Sequence, residues 1–334
     1  MAKRKPKDTE ALSDLAILAG QNIRYHFMDS GAFSLRFLAD KWSKLRGLPS
    51  EGYYDSPEHF EYLDAYAAFV KKYRIAIDLY ANVDVMGDSK RSFRNQMYLE
   101  SLGIRPVPVV HFQDGLDILE QYLDRGYKYI GLGGLARKAL NPECQNWLDR
   151  IFDRICDTPD RTPSVKVHGF GVTGFRWLFR YPWYSIDSTS WRFHASYGSV
   201  IVPKTSRSRE EPARWEFKHR GWYYTFRYDI TPEIVDVTEA TLKSMTGNHY
   251  KHMEKLNWLR PLRITKWLEH IRMPHGITKH AENVKDNEII EEGISNSFEI
   301  RSLANARYYV EFMKTMPEYP QPFNVRPRRS LGLL

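Results

Sequence analysis

The chain has 334 residues, of which 42% are hydrophobic and 14% aromatic, and its formal net charge is +8. These values indicate a globular protein with a large core, and the charge favours an acidic partner over a neutral one. A disulfide scaffold or a thiolate zinc site is not expected, because Cys144 and Cys156 are the only cysteines and form no CxxC motif.

The N-terminal residues do not predict a targeting segment. The stretch MAKRKPKDTE is basic but lacks the apolar run of a signal peptide. No run in the chain approaches the ~18 apolar residues that a membrane span needs. We therefore expect a soluble, cytoplasmic protein with no membrane partner. Residues 1–20 are expected to form a basic N-terminal segment.

Strand and helix patterns alternate from residue 23 onwards. IRYHFMDSGAFS (23–34) predicts a strand that runs into a glycine-containing turn. SPEHFEYLDAYAAFVKKY (56–73) predicts a helix with an N-cap serine and a proline at its first position. After a strand and loop in RIAIDLYANVDVMGD (74–88), SKRSFRNQMYLESLG (89–103) predicts a helix that ends at glycine.

The alternation continues to about residue 197. Further strands are predicted in RPVPVVHF, YKYIGLGGLA, VKVHGFGV and WYSIDSTSW, with helices in DGLDILEQYLDRG, QNWLDRIFDRIC and FRWLFRY between them. This order predicts right-handed βαβ units and a parallel sheet, and no GxGxxG follows the first strand. We therefore predict an α/β fold, a (β/α)8 TIM-type barrel, over residues 21–237.

The character of the sequence changes after residue 197. GSVIVP (198–203) predicts one more strand, and a charged insertion follows near 204–222. Helical patterns return in 239–272 and 296–314. We predict that residues 238–334 form a mainly helical C-terminal extension that completes or covers the barrel.

Polar residues interrupt the apolar strands at their C-terminal ends, which form the mouth of a parallel barrel. Structural roles compete at several of these positions: Asp29 suits a turn, Asp88 an N-cap, and the two strand histidines a core. Asp187 is the hardest to explain structurally, because burying a lone carboxylate is costly. The residues at these strand ends are Asp29, Ser30, Asn82, Asp84, Asp88, His111, Gln113, Gly133, Gly134, His168, Asp187, Ser188 and Thr189.

Two of these carboxylates suit exchange at a glycosidic carbon, which needs a nucleophile and a general acid/base. Asp29 and Asp187 come from opposite ends of the barrel sequence and can supply that pair. A metal-dependent barrel hydrolase is the competing chemistry. It lacks support in the sequence, because the first strand has no HxH and the histidines occur one per strand.

Five segments, in the same order along the chain, resemble motifs of the tRNA-guanine transglycosylases. MDSGAFS (28–34) resembles their DSGGFQ motif, and VDVMGDS (83–89) resembles DIVMAFDE. Gln113 matches the glutamine of IVQGG, GLGGLA (131–136) resembles GGLA, and SIDSTSW (185–191) resembles the strand end with their nucleophile. The resemblance covers roughly residues 22–200.

The resemblance implies a TIM barrel that exchanges guanine in a nucleic acid for a 7-deazaguanine base. It makes Asp29 the general acid/base and Asp187 the nucleophile of a covalent glycosyl-enzyme intermediate. The implied base-binding residues are Ser30, Asp84, Asp88, Gln113, Gly133, Gly134 and Leu135. Further from the base, we expect three residues that support these base-binding side chains: Asn82, His111 and His168.

The chain departs from the tRNA enzymes at their zinc site, since no CxCxxC motif is present. No zinc or other cofactor is therefore expected, and the sequence looks closer to the phage and bacterial branch that acts on DNA. We expect DNA and a 7-deazaguanine such as preQ0 as substrates, with tRNA less favoured, and an accessory protein or a homodimer as further partners. Contacts to nucleic acid are expected from Arg207, Arg209, Arg214, Lys218, Arg220, Trp191 and Arg192.

Two alternatives remain open beside the metal-dependent hydrolase. The chain can be a tRNA-guanine transglycosylase that has lost its zinc site. It can also be a non-catalytic nucleic-acid-binding barrel that acts as a partner subunit. The presence of both Asp29 and Asp187 argues against the second, because a silent subunit needs neither.

Overall fold

The computed structural model describes residues 26–172, 174–203, 232–236, 267–268, 270–279, 288–313 and 316–324. The chain divides into two compact units. Residues 23–188 and 318–334 form one, which we call the sheet unit, and residues 1–22 and 189–317 form the other, which we call the second unit.

The sheet unit is built on six short strands that follow one another in chain order. β3 to β6 form one parallel sheet, β1 pairs parallel with β2, and a parallel bridge from Ala81 to Val107 joins the end of β2 to the chain entering β3. The predicted parallel βαβ arrangement is confirmed for this part of the chain. The strands are β1 (Phe27–Met28), β2 (Leu79–Tyr80), β3 (Val109–His111), β4 (Tyr129–Gly133), β5 (Lys166–Gly169) and β6 (Ser185–Ile186).

Helices connect these strands, and those after residue 56 lie where the sequence predicts them, whereas the helix over Ala32–Arg46 was not predicted. Ser56 caps its helix, since its Oγ accepts a hydrogen bond from the His59 N–H at 3.4 Å, and Pro57 opens the first turn. The helices of this unit are α1 (Ala32–Arg46), α2 (Pro57–Lys72), α3 (Ser89–Ser101), α4 (Leu116–Asp124), α5 (Pro142–Ile155) and α6 (Phe175–Arg180), with a 3-10 helix over Ser50–Asp55.

The sheet is strongly curled. The Phe27 ring on β1 lies 4.5 Å from the His168 ring on β5 and 5.9 Å from the Phe170 ring, measured between centroids. Four strand spacings separate β1 from β5, and at roughly 4.8 Å each a flat sheet would place them about 19 Å apart. The sheet must therefore wrap around Phe27, so that side chains from its two ends meet on its concave face.

The C-terminal segment returns to the sheet unit. Phe323 is fully buried and packs against the rings of Phe152 and Tyr181, at 5.9 and 5.8 Å between centroids. Its N–H donates a hydrogen bond to the Arg161 carbonyl at 2.9 Å. Residues distant in sequence thus complete the core of this unit.

The second unit combines helices with antiparallel pairs. It contains α7 (Ser190–Ser196), β7 (Ser199–Pro203), β8 (Pro232–Asp236), β9 (Ile277–Lys279), β10 (Glu288–Glu291) and α8 (Phe298–Met313). β7 pairs with β8 and β9 pairs with β10, both antiparallel, and α8 packs against α7 and β7. The buried Asn305 ties them together: its amide donates to the Trp191 and Ser199 carbonyls and its oxygen accepts from the Ile201 N–H.

The domain limits differ from those predicted. The strand at 198–203 exists, but it pairs antiparallel within the second unit, and the division falls at 188/189 instead of 237/238. The predicted helix near 296–314 is confirmed as α8, whereas the described part of the extension also contains the β9–β10 pair. Among the residues that the structure describes, no helix is long and apolar enough to cross a membrane.

Candidate active site

The concave face of the sheet unit encloses a cavity of about 520 Å³. Its size lies within the roughly 300–1,000 Å³ that is usual for small-molecule sites. Asp29 and Asp187 both line it, and so does His168 between them on β5. The two carboxylates directly follow β1 and β6, so the structure brings the predicted catalytic pair to the C-terminal ends of parallel strands.

Asp29 is held at the start of a tight turn. Tyr62 donates a hydrogen bond to the Ser30 carbonyl at 2.7 Å, and Ser30 Oγ accepts one from the Ala32 N–H at 3.3 Å. Gly31 has a φ of 73°, and a Cβ there would lie 3.1 Å from the Tyr62 hydroxyl oxygen. A residue with a side chain would be strained at this position, so glycine fixes the turn that presents Asp29.

The environment of Asp29 raises its pKa. Surrounding protein atoms desolvate the carboxyl, and the negative charges of Asp84 and Asp187 add to this effect, so the pKa of Asp29 is raised. The backbone N–H groups of Gly31 and Ser30 oppose the rise but do not cancel it. The carboxyl is accessible from the cavity, yet the cavity wall prevents water from surrounding it. Such a group is suited to carrying a proton.

Asp187 lies beyond the end of β6 with its side chain 50% exposed, so the expectation that it is buried in a strand is wrong. Its Oδ1 accepts a hydrogen bond from the Gly171 N–H at 2.5 Å, and its own N–H donates to the Gly169 carbonyl at 3.2 Å. Gly171 has a φ of 70° and packs against Ala136, which leaves no room for a Cβ without displacement. The loop thus orients the carboxylate through one oxygen, while Oδ2 lies 4.0 Å from His168 Nε2.

His168 is held in place by two hydroxyl groups. Its Nδ1 lies 2.6 Å from Ser185 Oγ, which is in turn hydrogen-bonded to the Tyr129 hydroxyl. Burial raises the pKa of Tyr129 to about 12, so the phenol keeps its proton at neutral pH. The imidazole is 4% exposed, and its Nε2 has no hydrogen bond to any residue that the structure describes. Nε2 is itself buried, and Asp187 Oδ2 lies 4.0 Å from it.

Tyr129 and Ser185 were missed by the sequence reasoning, which considered only strand ends. Tyr129 pairs with Lys166 across β4 and β5, and His168 pairs with Ser185 across β5 and β6. All four residues line the cavity. Every second side chain along a strand faces the same side of the sheet, so the residues that line the cavity recur with a period of two. That alternation in YKYIGLG, VKVHGF and YSIDS is the signal that could have found them.

Asp84 and His111 form a second polar pair, which is not part of the cavity lining. Both side chains are buried, and His111 Nε2 lies 2.5 Å from Asp84 Oδ2. The backbone N–H of His111 donates a hydrogen bond to Asp114 Oδ2 at 2.8 Å. Burial alone would lower the pKa of His111, but the hydrogen bond and charge of Asp84, with the charge of Asp114, outweigh it and raise that pKa. Gly133 packs beneath this ring, since a Cβ there would lie 3.0 Å from His111 Cε1.

The other predicted base-binding residues have local structural roles or lie elsewhere. Asp88 is the N-cap of α3: Oδ1 accepts from the Arg91 N–H at 2.9 Å, and Oδ2 pairs with the Arg91 guanidinium at 3.1 Å. Gln113 is exposed with a φ of 83°, while Leu135 is buried. The remaining positions are also outside the cavity lining: Ser30 is buried in its turn, Gly134 is exposed with a φ of 72°, and Asn82 is buried and donates to the Ser92 carbonyl at 2.9 Å.

Of the residues predicted to contact nucleic acid, the structure describes Trp191 and Arg192. Trp191 and Arg192 belong to α7 in the second unit, where the Arg192 guanidinium lies 5.7 Å from the Trp191 ring and 5.4 Å from the Phe298 ring. Arg207, Arg209, Arg214, Lys218 and Arg220 lie outside the described residues. Among the residues with described positions, no group of three or more His, Cys, Asp or Glu side chains is arranged to hold a metal ion.

Comparison with known proteins adds no family to these observations. No protein-family model matches the chain, and searches among curated proteins and solved structures also give no match. The functional interpretation therefore depends on the geometry of the cavity and on the sequence motifs.

Proposed function

We propose that this protein is a transglycosylase that replaces guanine in DNA with a 7-deazaguanine base such as preQ0. The observation that carries the proposal is the meeting of Asp29 and Asp187 in one cavity, with the pKa of Asp29 raised. Base exchange with a covalent intermediate needs a nucleophilic carboxylate and a second group that holds a proton. The two aspartates have different environments that suit these two roles.

In the first step, Asp187 Oδ2 attacks C1′ of the target deoxyguanosine. The C1′–N9 bond breaks, its electron pair leaves with guanine, and Asp29 supplies the proton that neutralises the departing base. The products are a glycosyl ester on Asp187 and an ionised Asp29. The hydrogen bond from Gly171 to Oδ1 keeps the other oxygen directed toward the cavity.

In the second step, N9 of the incoming base attacks C1′ and the ester bond to Asp187 breaks. Asp29 accepts the N9 proton, so both aspartates return to their starting states. The His168 ring is held through Nδ1 by Ser185, and its buried Nε2 lies 4.0 Å from Asp187 Oδ2, so a small movement would let it donate a hydrogen bond to that carboxylate.

We also propose that β1 to β6 belong to a (β/α)8-type barrel. Parallel pairing in chain order and the wrapping of the sheet around Phe27 support this closure. The cavity extends along the strands from Tyr129 and Lys166 at their amino ends to their carboxyl ends, where Asp29 and Asp187 lie and where barrel enzymes have their active sites.

The substrate is proposed from charge and from the sequence. A net charge of +8 favours a polyanion, and the missing zinc motif favours DNA over tRNA. A base inside a duplex cannot reach the cavity, so the target nucleotide must be flipped out or already single-stranded.

The test is incorporation of radiolabelled preQ0 and guanine by the full-length protein into single-stranded DNA, duplex DNA and tRNA. We expect label in DNA and a protein–DNA adduct that survives denaturation in detergent. Asp187→Asn should abolish both, and Asp29→Asn should slow exchange by roughly 10²- to 10⁴-fold, as for loss of a general acid/base.

Asp78→Asn is the matched control, because Asp78 lines the same cavity before β2 and should leave exchange nearly unchanged. Label in tRNA alone would replace the proposed substrate with tRNA. Nucleic-acid binding with no label in any substrate would favour the non-catalytic subunit.

A further inference from the structure

Helix α1 exposes an aromatic pair beside the candidate active site. Phe33 is 64% exposed and Phe37 is 63% exposed, and their rings lie 5.6 Å apart between centroids in an edge-to-face arrangement. The opposite face of the helix, with Leu35 and Ala39, is almost completely buried. The core of the sheet unit therefore does not account for the two phenylalanines.

Basic side chains lie along the same stripe. Positions 33, 37, 41 and 44 recur at helical spacing, so Lys41 and Lys44 continue the line of Phe33 and Phe37. Arg36 is adjacent, and all three basic residues are exposed. The helix carries Arg36, Lys41, Lys44 and Arg46 against a single acidic residue, Asp40.

This stripe lies close to Asp29. Phe33 is four residues further along the chain, which limits the distance between their Cα atoms to at most about 14 Å. At roughly 3.4 Å per stacked nucleotide, that distance corresponds to about four nucleotides. A strand whose base occupies the cavity can therefore pass over α1.

We propose that the exposed stripe of α1, formed by Phe33, Phe37, Arg36, Lys41 and Lys44, is a stacking platform for single-stranded nucleic acid next to the target nucleotide. Bases stack on exposed aromatic rings while phosphates pair with nearby cations. The three basic side chains beside the rings favour a polyanion over a neutral protein surface. The inference depends on the proposed function for the nature of the ligand, but its test does not depend on catalysis.

The test measures binding of fluorescently labelled oligo(dT), which contains no guanine and cannot undergo exchange. We expect Phe33→Ser and Phe37→Ser each to weaken binding about tenfold, in line with the loss of one stacked base. Lys41→Ser and Lys44→Ser should each reduce the steepness of the salt dependence by about 0.7. Phe69→Ser is the matched control, because Phe69 is 48% exposed on α2 and should leave affinity unchanged.

A second measurement locates the contact. Oligo(dT) carrying 5-iododeoxyuridine should photo-cross-link to Phe33 or Phe37, and the Asp187→Asn variant should give the same adduct even if the protein does not exchange bases. Unchanged affinity in both phenylalanine variants, or cross-links only elsewhere, would overturn the proposal. Loss of self-association in these variants without loss of DNA binding would also overturn it and assign the stripe to a second copy of the chain.

Discussion

The carboxyl of Asp29 combines two unfavourable electrostatic effects. Protein atoms displace water from around it, and the charges of Asp84 and Asp187 add repulsion. Both raise its pKa, so the folded protein holds this proton more tightly than the unfolded chain does. In the pH range above the ordinary value of 3.8, ionisation of Asp29 therefore lowers the free energy of unfolding. A residue suited to proton transfer is in this case a residue that destabilises the fold.

We predict that Asp29→Asn raises the free energy of unfolding at about pH 7 and changes it much less at about pH 3, where both states of wild-type Asp29 are protonated. Urea unfolding at several pH values measures this difference. Asp160→Asn serves as the control of opposite sign, since hydrogen bonds from Thr162 and Thr158 lower the pKa of Asp160. Its loss should destabilise the protein at neutral pH and less so in acid. Equal stability of Asp29→Asn and wild type across the range would contradict the assigned environment.

Residue types at strand ends predicted part of the cavity lining. Asp29, His168 and Asp187 were identified because a polar residue that interrupts an apolar run needs a reason, and all three line the cavity. Tyr129 and Ser185 were missed because they lie at the amino ends of their strands, where no site was expected. Their role follows only from register, since strand pairing determines which side chains face one another.

At the level of the elements, loops that lead from a strand into a helix are where both active-site residues and helix N-caps are usually found. Asp88 shows the difficulty: it follows a strand and precedes a helix, as a base-binding residue or a cap would. In the structure its carboxylate accepts from the Arg91 N–H and pairs with the Arg91 guanidinium. Aspartate is favoured at both kinds of position, so the residue type alone could not separate them.

We predict that Asp88→Ala destabilises the protein by about 1 kcal/mol, as expected for loss of an N-cap, whereas Asp88→Asn changes stability little. Asparagine retains an oxygen that can accept from the Arg91 N–H. Chemical denaturation of the two variants measures these changes. In the preQ0 incorporation assay Asp88→Asn should retain wild-type activity if capping is its whole role. Abolished exchange in a stable Asp88→Asn protein would instead restore the base-recognising role suggested by the sequence.

On the scale of the whole molecule, the sequence predicts local secondary structure but not the pairing of segments that are distant along the chain. The alternation of strands and helices over residues 23–188 follows from hydrophobic periodicity within each segment, and it was predicted. The antiparallel partner of β7 lies in β8, more than a turn's length away, and nothing in GSVIVP specifies it. The domain division at 188/189 could not be predicted for the same reason.

The return of residues 318–324 to the sheet unit is another long-range feature, because it packs a segment distant in sequence into the core of this unit. Phe323 fills a site between Phe152 and Tyr181, and the Arg161 guanidinium lies 5.8 Å from its ring. We predict that Phe323→Ala lowers the free energy of unfolding by about 3–5 kcal/mol, the usual cost of truncating a buried phenylalanine. Urea denaturation followed by tryptophan fluorescence measures this loss.

Asn324→Ala is the control, since the neighbouring Asn324 is exposed and its truncation should change stability by less than about 0.5 kcal/mol. A small effect of Phe323→Ala would mean that residues 23–188 are stable without the C-terminal segment. A large effect would mean that the unit carrying Asp29 and Asp187 becomes complete only when the last part of the chain has packed. The cavity would then be fully stabilised only after the segment around Phe323 has been synthesised and has packed between Phe152 and Tyr181.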